Sequence, residues 1–99
     1  MALRVKISAR AAVEIRRAAE WWVVNRPAAP AAIGADLEDA VALLAEQPSV
    51  GAKYEGARLL NVRRLFLARV GYFIYYTAGD ENLDILAFWH SGREYQPRL

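Results

Sequence analysis

The chain contains no cysteine. That absence excludes disulfides, thiolate nucleophiles and cysteine-based zinc sites together, and it suits a reducing compartment. The chain has a single histidine, His90, so no zinc-type ligand set can be assembled around it. No metal and no cofactor are expected. Long hydrophobic runs are missing too, since none approaches the roughly 20 residues that span a bilayer. The opening Met1-Ala2-Leu3-Arg4-Val5-Lys6-Ile7 alternates apolar and basic residues, whereas a secretion signal needs a continuous apolar stretch after its basic start. The expectation is a cytoplasmic protein without membrane association. Charge of one sign is also scarce: the net charge is only +2, weak by itself as a sign of nucleic-acid binding.

Hydrophobic residues, by contrast, are abundant. They make up 56% of the 99 residues, including three Trp, five Tyr and three Phe, which excludes disorder and suits one compact domain over residues 1–99. The charges are segregated. Arg58, Arg63, Arg64 and Arg69 fall in a stretch with no acid, while Asp36, Glu38, Asp39 and Glu46 fall in one with no base. A basic side and an acidic side are expected.

Periodicity gives the elements. Leu3, Val5 and Ile7 alternate with Arg4 and Lys6 as a short strand with one wet face. Ser8 is placed to cap a helix from about Ala9 to Val24, with Ala12, Ile15, Ala19 and Trp22 as its apolar stripe. Asn25-Arg26-Pro27 stops it. A second helix is expected from about Pro30 to Glu46, on Ile33, Leu37, Val41 and Leu44, and Gln47-Pro48 ends it. The short link makes the two an antiparallel hairpin. Three strands follow, about Leu59 to Ala68, Tyr72 to Thr77 and Leu83 to His90, separated by glycine-bearing turns. The order is β-α-α-β-β-β: an α+β fold in which the helix hairpin packs on one face of a small, mainly antiparallel twisted sheet. In Tyr72-Phe73-Ile74-Tyr75-Tyr76 and in Leu83-Asp84-Ile85-Leu86-Ala87-Phe88-Trp89, both alternating faces are largely apolar. Two helices cover one face only, so the other is expected to lie bare and meet a second protein.

These pieces resemble the RelE/ParE toxin superfamily of type II toxin–antitoxin systems, over nearly the whole chain. They comprise a first strand leading into Ser8-x-x-Ala11, Leu43-Leu44-x-x-x-Pro48 late in the second helix, the pair Arg63-Arg64, then Gly71-Tyr72-x-Ile74-x-Tyr76, and a last strand running into His90 and Arg93. The resemblance implies one of two lethal activities. ParE-like members poison DNA gyrase; RelE-like members cut messenger RNA on the ribosome. Both are silenced by a cognate antitoxin in a hetero-oligomer. A third reading is a non-toxic interaction module on the same fold.

A metal-independent endoribonuclease needs a base, a proton donor and cations against the developing phosphorane charge. On the nuclease reading these are His90, Arg93 and Arg64, with Tyr95 as a weaker candidate. Along the basic strand, Phe66 and Ala68 stand where nuclease members carry further cations, and Phe73 stands where many carry a basic residue after the Gly-Tyr pair. The thin catalytic set and the extensive apolar surface favour the ParE-like branch. Arg63, Trp21, Tyr75 and Trp89 are the expected partner contacts, while Arg58 and Arg69 read as solvated charges.

Overall fold

The structure is a computed structural model that describes residues 2–99. The elements are β1 (Arg4–Ile7), α1 (Ala9–Asn25), α2 (Ala32–Glu46), a short 3-10 turn (Pro48–Val50), β2 (Ala52–Lys53), β3 (Arg63–Leu67), β4 (Tyr72–Ala78) and β5 (Asn82–His90). The strands form one sheet in the order β1-β5-β4-β3-β2. All pairings are antiparallel except β1 with β5, which is parallel. The helix hairpin covers one face, as the sequence pattern requires. Among the described residues, no helix is long and apolar enough to cross a membrane.

Local chemistry explains the elements. Ser8 sits in extended backbone and its hydroxyl accepts from the Ala11 N–H at 3.0 Å, satisfying a donor the first helical turn leaves over. The fully buried residues of α1 are Ala11, Ala18 and Trp22; of the expected stripe, Trp22 is buried and Ile15 and Ala19 pack partly buried against the core, while Ala12 is exposed and Ala11 is buried in its place. Ala11 and Ala18 both belong to the main core. Helix α2 starts at Ala32, two residues later than Pro30, because residues 27–30 form turns that place the Ala29 carbonyl on the Trp22 indole N–H (2.8 Å). Its core residues are Ile33, Ala40 and Leu44, with Leu37 and Val41 at the margin.

The strand expected at Leu59–Ala68 is shorter, Arg63–Leu67. Residues 59–61 instead belong to a loop in which Asn61 takes a positive φ of 61° and Leu60 is 83% exposed. The β3–β4 turn needs Gly71, whose φ of +78° is strained for any residue with a Cβ. Strand β1 was expected to have one dry face. As the outermost strand it is exposed along its length, and Val5 and Ile7 remain 40% and 47% accessible.

One irregularity accounts for the run of apolar residues in β5. Tyr75 pairs with Ala87 and Tyr76 with Ile85, so Leu86 is left over as a bulge. Leu86 and Ala87 both join the far face, while Ile85 and Phe88 both join the core under the helices. That far face is not bare. The loop carrying Tyr54, Ala57 and Val62 and the C-terminal segment ending at Leu99 fold over its centre. Val62, Tyr75 and Ala87 are thereby buried, Tyr75 and Ala87 completely. The expectation of an uncovered sheet thus fails at the centre and holds only toward Phe66, which stacks beside Phe73 and is 48% exposed.

Strand β1 ends at Ile7, so the outer edge of β5 beyond Ile85 has no strand partner. Helix α1 supplies one. The Ser8 hydroxyl donates to the Leu86 carbonyl (3.2 Å), and the Glu14 carboxylate accepts from the Phe88 N–H (3.0 Å) while pairing with Arg10. A strand edge closed by side chains offers no template for another chain. Glu14→Ala leaves the Phe88 N–H without its acceptor and is expected to destabilise the fold by about 2 kcal/mol. Urea unfolding checks this, and an unchanged midpoint would show that water replaces the carboxylate at no cost.

Tyr76 ties the core to the turn after α2. Its hydroxyl donates to the Pro48 carbonyl (2.6 Å) and accepts from the Gly51 N–H (2.9 Å). Burial pushes its ionisation above the ordinary value of about 10, against smaller opposing effects of the Gly51 N–H and the Arg63 charge. Burial raises Tyr72 likewise, with Arg93 opposing. A tyrosine that ionises later in the folded state contributes stability that is complete below about pH 10 and is lost as pH rises through the folded value. Stability should therefore decline above about pH 10, and less steeply in the Tyr72→Phe, Tyr76→Phe double variant. Urea midpoints collected across that range give the test; parallel curves for both proteins would remove these tyrosines as the cause.

Candidate functional site

The functional candidates gather at one end of β4 and β5, and the register there decides which can act together. Tyr72 pairs with His90 and Phe73 with Trp89. Paired residues share a face and successive residues alternate. Tyr72 stacks flat on Phe88 of the main core (4.5 Å, 3°), so Tyr72 and His90 lie on the helix side. Phe73 and Trp89 lie on the far side with Tyr75 and Arg64.

On the helix side, the His90 ring stands edge-on to Tyr72 at 5.0 Å and its Nδ1 accepts from the Gly92 N–H (3.0 Å). Its Nε2 lies on the side of Gly71. His90 opens into a cleft of about 540 Å³ whose other walls include Trp21, Trp22, Arg26, Arg69, Tyr72 and Arg93. Arg69 is no free charge. Its guanidinium grips both carboxylate oxygens of Asp36, with Nε–Oδ2 at 3.0 Å, joining the β3–β4 turn to α2. Arg26 lies over Trp21 (5.4 Å) and Trp22 (5.9 Å). Trp21 is 49% exposed and Trp22 is core, as the helical spacing indicated.

On the far side, Arg64 lies over the Phe73 ring at 4.4 Å and beside Tyr54 at 5.4 Å. It donates to the Tyr75 hydroxyl (3.1 Å) and to Gln96 Oε1 (3.2 Å). Tyr75 donates to the same Gln96 oxygen at 2.7 Å. The Trp89 indole N–H donates to the Tyr95 carbonyl (2.8 Å), and Arg93 covers the Trp89 ring at 4.0 Å. Arg93 thus faces the far side through its guanidinium and also borders the His90 cleft. The Tyr95 side chain points out, and the residue is 74% exposed.

The candidate nuclease residues are therefore divided. His90 and Arg93 share a cleft, while Arg64 is held on the opposite face by the chain's own tail. Of the expected partner contacts, Trp21 is open. Tyr75 is enclosed by the loop and tail and touches no partner while they are in place. Arg63 donates to the Gly51 and Ser49 carbonyls (2.7 and 3.2 Å) and so anchors a turn. Trp89 is half-covered by the tail. Sequence reasoning missed Glu14 and Gln96. Gln96 carries no signal in its neighbours. Glu14 becomes visible only once β1 is known to lie beside β5 and to stop short.

The profile of the ParE toxin of the type II toxin–antitoxin system parDE matches residues 5–95. The chain belongs to the ParE toxin family. It is a ParE-like toxin of the type II class. Among solved structures, a chain of the chromosomal ParDE toxin–antitoxin system from P. aeruginosa is similar in fold, with a TM-score of 0.72 at 20% identity, over 89% of this chain and 95% of that one. Comparison with curated proteins returns no match.

Proposed function

We propose that the chain inhibits growth by binding and trapping DNA gyrase, and that a cognate antitoxin neutralises it in a cytoplasmic hetero-oligomer. The observation that supports this reading is the separation of His90 from Arg64 on opposite faces of the sheet. A gyrase poison needs a surface and no convergent catalytic set; a nuclease needs both cations and base at one phosphate. The surface is available in Trp21, Val23 and Val24 at the end of α1, all at least 49% exposed. The alternative, a ribosome-dependent endoribonuclease, keeps support from one feature: His90, Tyr72 and Arg93 line the same cleft.

Induced expression in a bacterium, followed by uptake of labelled precursors, separates the readings. Thymidine incorporation should fail first. Early failure of amino-acid incorporation would transfer the assignment to RNA cleavage, and unimpeded growth would leave only the non-toxic interaction module. Under the gyrase reading His90→Ala should retain toxicity to within about a few-fold in viable counts, because general acid–base catalysis, typically worth 10²–10⁴-fold, is not in use. Complete loss in a folded variant would point to the nuclease.

A further inference from the structure

The C-terminal segment from Tyr95 to Leu99 contains no helix or strand, yet it is fastened at every step. The Tyr95 carbonyl accepts from Trp89, Gln96 Oε1 from Arg64 and Tyr75, the Arg98 carbonyl from the Arg10 guanidinium, and the Leu99 carbonyl from the Arg58 N–H. Pro97 is buried between these anchors. The segment lies in a trough with an aromatic floor (Phe73, Tyr75, Trp89) and guanidinium walls (Arg10, Arg64, Arg93). Its apolar hold is limited to Pro97 and Leu99, the other anchors being polar, and segments with few buried apolar contacts open at low free energy.

The centre of this trough is mismatched to its occupant. A single neutral amide oxygen receives both a guanidinium and a phenol. Among the described residues, Arg64 has no carboxylate within ion-pair distance, and neither has Arg93. A hydrogen bond between ionised partners is roughly twice as strong as a neutral one. The slot that holds Gln96 is thus better suited to a carboxylate, offered by a chain that runs as the tail does.

We infer that residues 95–99 form a displaceable strap, a placeholder in a groove whose fitting occupant is an extended acidic peptide segment that sets a Glu or Asp carboxylate between Arg64 and Tyr75. Displacement trades a neutral acceptor for a charged one and frees the strap's five residues. The inference rests on the proposed toxin–antitoxin reading only in giving such a segment a natural source, the antitoxin. The strap itself does not depend on it, and the precursor-uptake experiment can fail without touching the test below.

The test uses the full-length chain and two labelled peptides, Arg-Glu-Tyr-Gln-Pro-Arg-Leu, which copies residues 93–99, and the same peptide with glutamate in the fourth position. Fluorescence anisotropy reads the binding. The acidic peptide should bind about tenfold tighter than the copy, the equivalent of about 1.4 kcal/mol. Gln96→Lys, which sets a cation against Arg64 and loosens the strap, should tighten acidic-peptide binding at least tenfold; Gln96→Glu, which fills the slot from within, should weaken it by as much. In hydrogen exchange, the Trp89 indole proton should exchange faster in Gln96→Lys and slower in Gln96→Glu. Arg64→Gln should abolish the preference between the two peptides. Equal binding by all three chains, or equal binding of the two peptides, overturns the proposal. So does a groove in Gln96→Lys that takes single-stranded oligothymidylate and refuses the acidic peptide, because the occupant is then nucleic acid. Should Gln96→Lys prove unfolded, the Gln96→Glu chain still decides the matter, since it adds an attraction and removes none.

Discussion

Gly51→Ala is expected to cost about 3 kcal/mol, lowering the melting temperature of a domain this size by roughly 12–20 °C. Gly51 lies just after the 3-10 turn, and its N–H reaches the buried Tyr76 hydroxyl. A Cβ there would stand 2.8 Å from Tyr76 Cε1 and 2.9 Å from the Arg64 carbonyl oxygen, and nearer still to the Tyr76 hydroxyl. None of these neighbours can yield cheaply. The tyrosine ring is fully buried, and the carbonyl belongs to β3, where Arg64 pairs with Ala52. Either the ring moves and breaks its bonds to Pro48 and Gly51, or the turn moves and takes β2 with it. Urea and thermal unfolding read the loss directly. A cost below about 1 kcal/mol would mean that the turn shifts freely and that Tyr76 does not hold it.

The second large effect is expected at Phe88. Its side chain is 2% exposed, stacks face to face on Tyr72 and fills the core beneath the helices. Phe88→Ala should cost about 4 kcal/mol, through lost burial and the cavity left behind. Tyr72 would lose its floor, and with it the wall that His90 leans on, so the cleft should loosen along with the core. Phe66→Ala, on the half-exposed end of the far face, provides the contrast at under about 1 kcal/mol. Similar costs at the two sites would contradict the division between closed core and open margin.

The helix hairpin and the strands β4 and β5 were legible because their signals are local: a serine cap, a 3.6-residue stripe, an alternation bounded by glycines. What escaped was whatever depends on contacts distant in sequence. On α1 the expected stripe fails only at Ala12, because Ala11 and Ala12 are chemically identical and only the contacts beneath choose between them. Residues Leu59 to Val62 looked like a strand by composition, but Asn61 turns the chain with a positive φ, and the exposed Leu60 falls in a loop. The bulge at Leu86 cannot be read from alternation, since it is a departure from alternation. For the same reason the apolar surplus of β5 suggested a naked sheet. The cover came from a loop and a tail that have no pattern of their own. At the candidate site, His90 and Arg93 line one cleft, but which face each one serves follows from register alone. Arg64 was expected beside His90, and Gln96, a residue with no distinguishing signal, accounts for where it went.

The parallel pairing of β1 with β5 has a consequence for the order of events during synthesis. Arg4 must wait for Asn82, and Ile7 for Ile85, before the sheet can close. At about 5–20 residues per second, a growing chain spends several seconds with its first strand exposed and no neighbour to dock on. Pairing across such a separation in sequence also carries the loop-closure penalty that slows folding. The cleft at the end of β5 therefore takes shape last. The interval between translation and a closed sheet is written into the strand order, and a partner already waiting in the cell would meet the chain before its first strand is docked.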